Sequence, residues 1–298
     1  MSINEHPPHQ VHIPVLLESC LQLLDPQAGE SYLDLTAGYG GHAGAFMERT
    51  LDISKACLVD RDEYAISHLS AFAAQGARVI HDDFVTAARL LVDEKSRYDL
   101  VLIDLGVSSP QLDRAERGFS FTHPGPLDMR MDRRQADTAR DLIARSTADE
   151  LTQIITRYGE EPLPVARRYA AAIKAAGNLT TTKQLADVIL SVYRGKWSRN
   201  HPATRTFQAL RIAVNDELGQ VEQLLQLLPQ LLVTGGRVGV ISFHSLEDRL
   251  VKQYFAEQDQ AGYEAEFRLL SKKPHRGDIY DASNPRARSA TLRAAIKT

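Results

Sequence analysis

The chain reads as an α/β protein with a mostly parallel sheet, interrupted by an inserted helical domain. Three observations predict this. Short apolar runs recur at Tyr32–Leu35, Ala56–Val59, Val79–Ile80 and Leu100–Ile103. Stretches with helical apolar spacing, such as Ile66, Leu69 and Phe72-Ala73, lie between them, which is the pattern of βαβ units. A fifth run, Arg237–Ser242, follows only after a long gap that reads as helical.

Within that gap, Thr147-Ala148-Asp149-Glu150 has capping-box spacing and precedes Leu151, Ile154, Ile155 and Tyr158 on one helical face. A second helix is predicted from Val165 to Ala176, stopped by Gly177. A third opens at Thr181-Thr182-Lys183-Gln184 and carries Leu185, Val188, Ile189 and Val192. Phe207, Leu210, Val214, Leu218, Val221 and Leu225 then keep helical spacing up to the fifth strand. The expected division is 1–112 and 201–298 for the two parts of the α/β domain, with 113–200 as the insertion. No internal repeat or low-complexity tract is present.

Composition bounds the function. With 298 residues, 43% hydrophobic and 24% charged, the chain is long enough to bury a core and is not expected to be disordered. No apolar run reaches the length of a bilayer span, and Met1–Pro8 lacks a basic start followed by an apolar stretch. Two cysteines, Cys20 and Cys57, build neither a disulfide framework nor a four-cysteine zinc site, so a reducing cytoplasm is the expected compartment and no metal is expected. A net charge of −3 gives no overall attraction to nucleic acid. Basic residues nonetheless cluster. Arg194, Lys196, Arg199, Arg205 and Arg211 have no acid among them, with Trp197 and Phe207 interleaved, and from Glu264 onward eight basic residues face four acidic ones. Arg286 and Arg288 belong to that second group.

The run Leu33-Asp34-Leu35-Thr36-Ala37-Gly38-Tyr39-Gly40-Gly41-His42 ends a strand in a carboxylate and breaks into a glycine-rich turn before a helix. Such a turn lets backbone approach a ligand, and the helix start offers unpaired N–H groups. The next strand ends in Asp60, placed to accept both hydroxyls of a ribose. A dinucleotide fingerprint would need a third glycine at Ala43, but it comes one position late at Gly44, and an acid at Asp34 aimed into the pocket would repel a pyrophosphate. The acids suit a cationic cofactor, S-adenosylmethionine. A nicotinamide oxidoreductase stands as the alternative, and a catalytically silent protein that keeps the fold but only binds as a third reading. After the third strand, Phe84 is placed to pack on adenine and Asp83 to accept from its amine, with core packing and loop structure as the competing roles.

The fourth strand ends at Asp104 and runs into Leu105-Gly106-Val107-Ser108-Ser109-Pro110-Gln111. The carboxyl end of a parallel strand is where a second substrate meets the cofactor. Ser108, Ser109 and the carbonyls before Pro110 would offer acceptors to an exocyclic amine. Methylation at a pyrimidine carbon would need a cysteine nucleophile in this loop, and neither cysteine is there.

These runs, with Ala115–Phe121, Gly125–Asp132, His201–Arg211, Ile241–Arg249 and Asn284–Ser289, resemble the bacterial 16S rRNA (cytosine-N4)-methyltransferase family over nearly the whole chain. The resemblance implies a class I S-adenosylmethionine-dependent methyltransferase fold, Rossmann-like, whose helical insertion recognises rRNA. It implies cofactor contacts at Gly40, Gly41, His42, Asp60, Phe84, Asp104 and Gln111, and catalysis at Asp104, Ser108, Ser109 and Pro110. The implied substrate is a cytidine of the decoding region. The implied partner is 16S rRNA in the assembled small ribosomal subunit, without a membrane, and a homo-oligomer is left open. Pro162-Leu163-Pro164-Val165 departs from the aromatic, basic helix start expected there.

Structural roles compete for several of these residues. Asp113, Asp128 and Asp132 are expected to pair with Arg114, Arg117 and Arg130. His42 is expected as a cap or backbone contact, and His244 and Asp248 as structural polar contacts. Phe119 and Phe121 are weighed between stacking on the base and anchoring the loop, and Phe207 is expected in the core.

Overall fold

A computed structural model describes residues 14–106, 113–196 and 201–298. The chain divides into two compact units. One contains 1–60, 64–105 and 227–298, and the other 61–63 and 106–226.

The first unit is organised by one sheet. Its strands are β1 (Tyr32–Asp34), β2 (Ala56–Asp60), β3 (Arg78–His81), β4 (Tyr98–Asp104), β5 (Leu232–Ser242), β6 (Phe267–Leu269), β7 (His275–Arg276) and β8 (Thr291–Lys297). The order is β3-β2-β1-β4-β5-β8-β6, with β7 also on β8. The first five strands are parallel, in a register that aligns Leu33 with Cys57 and with Val101, and Val101 with Val238. β8 runs antiparallel to β5, β6 and β7. Three of the four predicted runs are strands covered on both faces, with Tyr32 to Leu35, Ala56 to Val59 and Leu100 to Ile103 buried, while Val79 and Ile80 lie half-buried in the edge strand β3. The predicted fifth strand begins earlier, at Leu232, and the C-terminal antiparallel strands were not foreseen. Helices α1 (Leu17–Leu24), α2 (Gly41–Thr50) and α3 (Glu63–Ala73) pack with this sheet around a core in which Tyr32 stacks on Phe46 at 4.7 Å, and α4 (Phe84–Asp93) packs against β2.

In the second unit, α5 (Ala139–Arg145), α6 (Ala148–Gly159), α7 (Leu163–Ala175), α8 (Thr182–Ser191) and α9 (Thr204–Asn215) surround their own core, which includes Leu151, Ile155, Tyr169, Ile173, Leu185, Phe207 and Leu210. The predicted capping box of Thr147 with Glu150 is formed, and Thr181 with Gln184 and Thr138 with Asp141 make two more. The second predicted helix starts two residues early because Pro162 serves as its N-cap and Pro164 sits in the first turn, where a missing N–H costs nothing. The expected boundary at residue 200 is too early. Phe207 and Leu210 of α9 bury their stripe in the insertion's core, so the unit extends to Gln226. Phe119 is 8% exposed in that core and Phe121 packs on it, which favours the anchoring role for both.

Helix α10 (Glu217–Leu231) leads into β5, and α11 (Ser245–Gln260) and the single-turn α12 (Gly277–Tyr280) complete the chain. No helix among the described residues is long and apolar enough to cross a membrane.

Candidate active site

The site is built at the carboxyl ends of β1, β2 and β4 in the first unit. Asp34 ends β1, Asp60 ends β2 and Asp104 ends β4. Asp60 reaches back to the turn after β1, where its carboxylate accepts the Gly38 N–H at 2.8 Å. The acid expected to hold a ribose therefore also shapes the glycine turn. The Asp104 N–H donates to Thr36 Oγ1 at 2.6 Å, which ties the end of β4 to the same turn, and sequence reasoning had not singled out Thr36.

The glycines have a different reason from the one expected. Gly40 has φ +79°, and a Cβ there would lie 2.3 Å from the Phe72 ring. A Cβ on Gly41 would lie 2.6 Å from Pro14 Cγ. A left-handed backbone and the Phe72 ring fix Gly40, packing on Pro14 fixes Gly41, and a left-handed backbone (φ +53°) fixes Gly38, where a Cβ would meet only the Thr36 carbonyl at 3.9 Å. Gly40 is the N-cap of α2 and brings no side-chain acceptor, so the helix start is not capped from within. His42 is buried, and its Nε2 lies 2.9 Å from the Val15 carbonyl, the expected backbone contact. Its Nδ1 is 3.8 Å from Asp104 Oδ2.

Two buried carboxylates dominate the electrostatics. Asp34 is 1% exposed, and burial together with the nearby charge of Asp60 pushes its carboxyl up to about 7, against the pull of hydrogen bonds from the Tyr32 hydroxyl and the Thr36 N–H. Those bonds turn Asp34 inward onto its own strand and turn, so it is not aimed into an open pocket as expected. Burial, then Asp34 and Glu247, hold the Asp104 carboxyl well above the usual carboxylate range. Its Oδ1 is buried without a hydrogen-bond partner. Cys20, beside both acids, is driven up by burial and remains a thiol.

The other sequence-predicted residues divide. Asp83 is the N-cap of α4, accepting from the Val85 and Thr86 N–H groups at 2.9 Å, so the loop-structural role is the one observed. Phe84 follows it as a buried first residue of the helix. His244 caps α11 in a capping box with Glu247, and Asp248 pairs with Arg293 at 2.7 Å, both structural. Ser108, Ser109, Pro110 and Gln111 lie outside the described residues, as do Trp197 and Arg199. Of the expected ion pairs, Asp128–Arg130 forms; Asp132 pairs with Arg134, and Arg117 with Asp62. The basic run is less free than its sequence suggests. Arg211 makes a two-pronged pair with Glu217 at 2.8 Å, and Arg205 approaches Glu161 at 3.9 Å, because acids from beyond the run fold onto it. Arg194 and Lys196 are exposed.

A parallel sheet with an antiparallel strand, β8, slotted between β5 and β6, and with acids and a glycine turn at its carboxyl edge, is the fold of the S-adenosylmethionine-dependent methyltransferases. Residues 9–298 match the model of the MraW methylase family, and the chain belongs to that family. It is 47% identical to a ribosomal RNA small subunit methyltransferase H of Nitratidesulfovibrio vulgaris, across 96% of this chain and 85% of that protein. It is 45% identical to the protein of that name from Anaeromyxobacter sp., across 96% and 97%. Among solved structures, a putative rRNA-methylase from Clostridium thermocellum aligns with a TM-score of 0.46 at 12% identity, over 97% of this chain and 100% of that one.

Proposed function

We propose that the protein transfers a methyl group from S-adenosylmethionine to the N4 amino group of a cytidine in the decoding region of 16S rRNA, within the assembled small subunit. Its family and its relatives' names support rRNA methylation. The observation that carries the chemistry is Asp104, with a buried oxygen that has no donor at the rim of an uncapped glycine turn. A buried acceptor left without a partner costs about 1–3 kcal/mol, and an incoming ammonium group would relieve that. The residues present thus fit the proposed cofactor.

In this reading Asp104 and Gln111 hold the methionine end, Asp60 the ribose hydroxyls, Phe84 an apolar wall for adenine, and the N–H groups of Gly40, Gly41 and His42 line the turn. When bound, the cofactor would supply an electrophilic methyl on sulfur and leave as the neutral thioether, while the methylated amine sheds one proton to solvent. Ser108, Ser109 and the carbonyl before Pro110 accept from the cytosine amine and point its lone pair at the methyl. Holding the amine in line can supply about 7–11 kcal/mol of the barrier. No nucleophile is needed, and burial keeps both cysteines as thiols.

The test is mass mapping of small subunits purified from cells lacking the protein, after incubation with the enzyme and isotopically labelled cofactor. One N4-methylated cytidine in the decoding region is the expected product. A label on carbon 5, or on RNA of the large subunit, would refute the assignment.

A further inference from the structure

The C-terminal segment of the first unit forms a small platform that the reaction described above does not use. The rings of His275 and Tyr280 stack at 4.0 Å with planes 3° apart. His275 is 9% exposed, and burial lowers its pKa, so a neutral ring backs the tyrosine. Tyr280 itself is 52% exposed, which leaves its other face to solvent. Beside it, Gly277 lies so close to the 285–287 turn that a Cβ would meet the Ala287 carbonyl at 1.7 Å, and its N–H donates to the Ala290 carbonyl. Arg286 lies in that turn and Arg288 ends it, and both side chains are exposed.

The platform is tied to the candidate site. Asp281 accepts the Leu16 N–H at 2.8 Å and the Asn284 side-chain amide at 3.3 Å, while the Asn284 oxygen accepts the Arg286 N–H. Leu16 adjoins Val15, the residue that His42 contacts. The two acids of the segment are already engaged, Asp281 in these bonds and Asp278 with Arg276. No carboxylate among the described residues pairs with Arg288.

We infer that this platform binds single-stranded RNA next to the target nucleotide, one base stacking on the open face of Tyr280 and adjoining phosphates meeting Arg286 and Arg288. A bare aromatic face beside cations is the pairing that holds unpaired nucleotides with little sequence preference. The inference rests on RNA being the substrate.

The probe is a fluorescent single-stranded RNA of the decoding-region sequence, followed by anisotropy, with cofactor affinity measured calorimetrically on the same preparations. Tyr280→Ala weakens RNA binding about tenfold while Tyr280→Phe retains it. Arg288→Glu weakens it severalfold with a shallower salt dependence, whereas Arg49→Glu, an equal charge change at the far end of α2, has little effect. Cofactor affinity stays unchanged throughout. RNA binding equal to wild type in both Tyr280→Ala and Arg288→Glu overturns the platform and leaves the substrate assignment standing. A wild-type protein that binds the cofactor but no RNA overturns both.

Discussion

Asp62 and Asp34 are both buried acids, yet they keep opposite company. In the second unit Asp62 meets the Arg117 guanidinium at 2.6 Å, with both side chains under 10% exposed, and Arg117 also donates to the Met131 carbonyl. Asp128, Asp132 and Glu217 are likewise answered by Arg130, Arg134 and Arg211. In the first unit Asp34 and Asp104 have no arginine or lysine among the described residues; Asp60 adds to the burial that raises Asp34, and Asp34 adds to the burial that raises Asp104. A fold built for stability alone would place cations there. Other acids of the first unit, Glu30 and Asp248, are answered by Arg237 and Arg293, so leaving Asp34 and Asp104 without a cation marks that edge of the sheet as the place where a positive ligand is expected.

The largest expected effect attacks the paired side. Arg117→Met strands Asp62 in the interior and should lower unfolding free energy by about 3–5 kcal/mol, read by urea denaturation. A loss below about 1 kcal/mol would mean that water reaches the pair and the contrast is weaker than drawn.

The unpaired side should show in pH. Asp34 is protonated in the fold up to about 7, whereas in the unfolded chain it ionises near 3.8. The folded state therefore holds the extra proton between these values, and stability should fall as pH rises across that window, by up to about 1.4 kcal/mol per pH unit from this group. Asp34→Asn should flatten the decline. An identical slope in the variant would show that other groups are responsible.

Asp60→Ala sharpens the comparison at the level of binding. It removes the proposed ribose acceptor and the Gly38 contact, and calorimetry should show cofactor affinity reduced about 100-fold, with the circular dichroism spectrum retained. The smallest effect is a control: Lys183→Ala breaks an exposed pair with Asp187 and should change stability by less than about 0.5 kcal/mol. A larger loss would indicate that pairing itself, rather than burial, separates the two units.

Much of this was legible in the sequence because the signals are local. Four of the parallel strands announce themselves as apolar runs, Thr147 and Thr181 as caps, and Asp60 and Asp104 as acids ending strands. What was not legible depends on distant partners. Nothing near Arg117 in sequence points to Asp62, and the acid for Arg211 begins the following helix. Asp34 was expected to face the ligand, but the hydroxyl that turns it inward belongs to Tyr32, a residue that reads only as core. Strand β8 carries Arg293 and Lys297 among alanines, a composition without strand character, and it becomes a strand because β5 and β6 border it on both sides.

That placement has a cost during synthesis. β8 follows β6 in the chain but separates it from β5, so the apolar edge of Val238, Val240 and Ile241 has no neighbour until Thr291–Lys297 arrives. A chain interrupted before Thr291 would carry a ready template for foreign strands, and truncation there should produce aggregates rather than a smaller soluble enzyme.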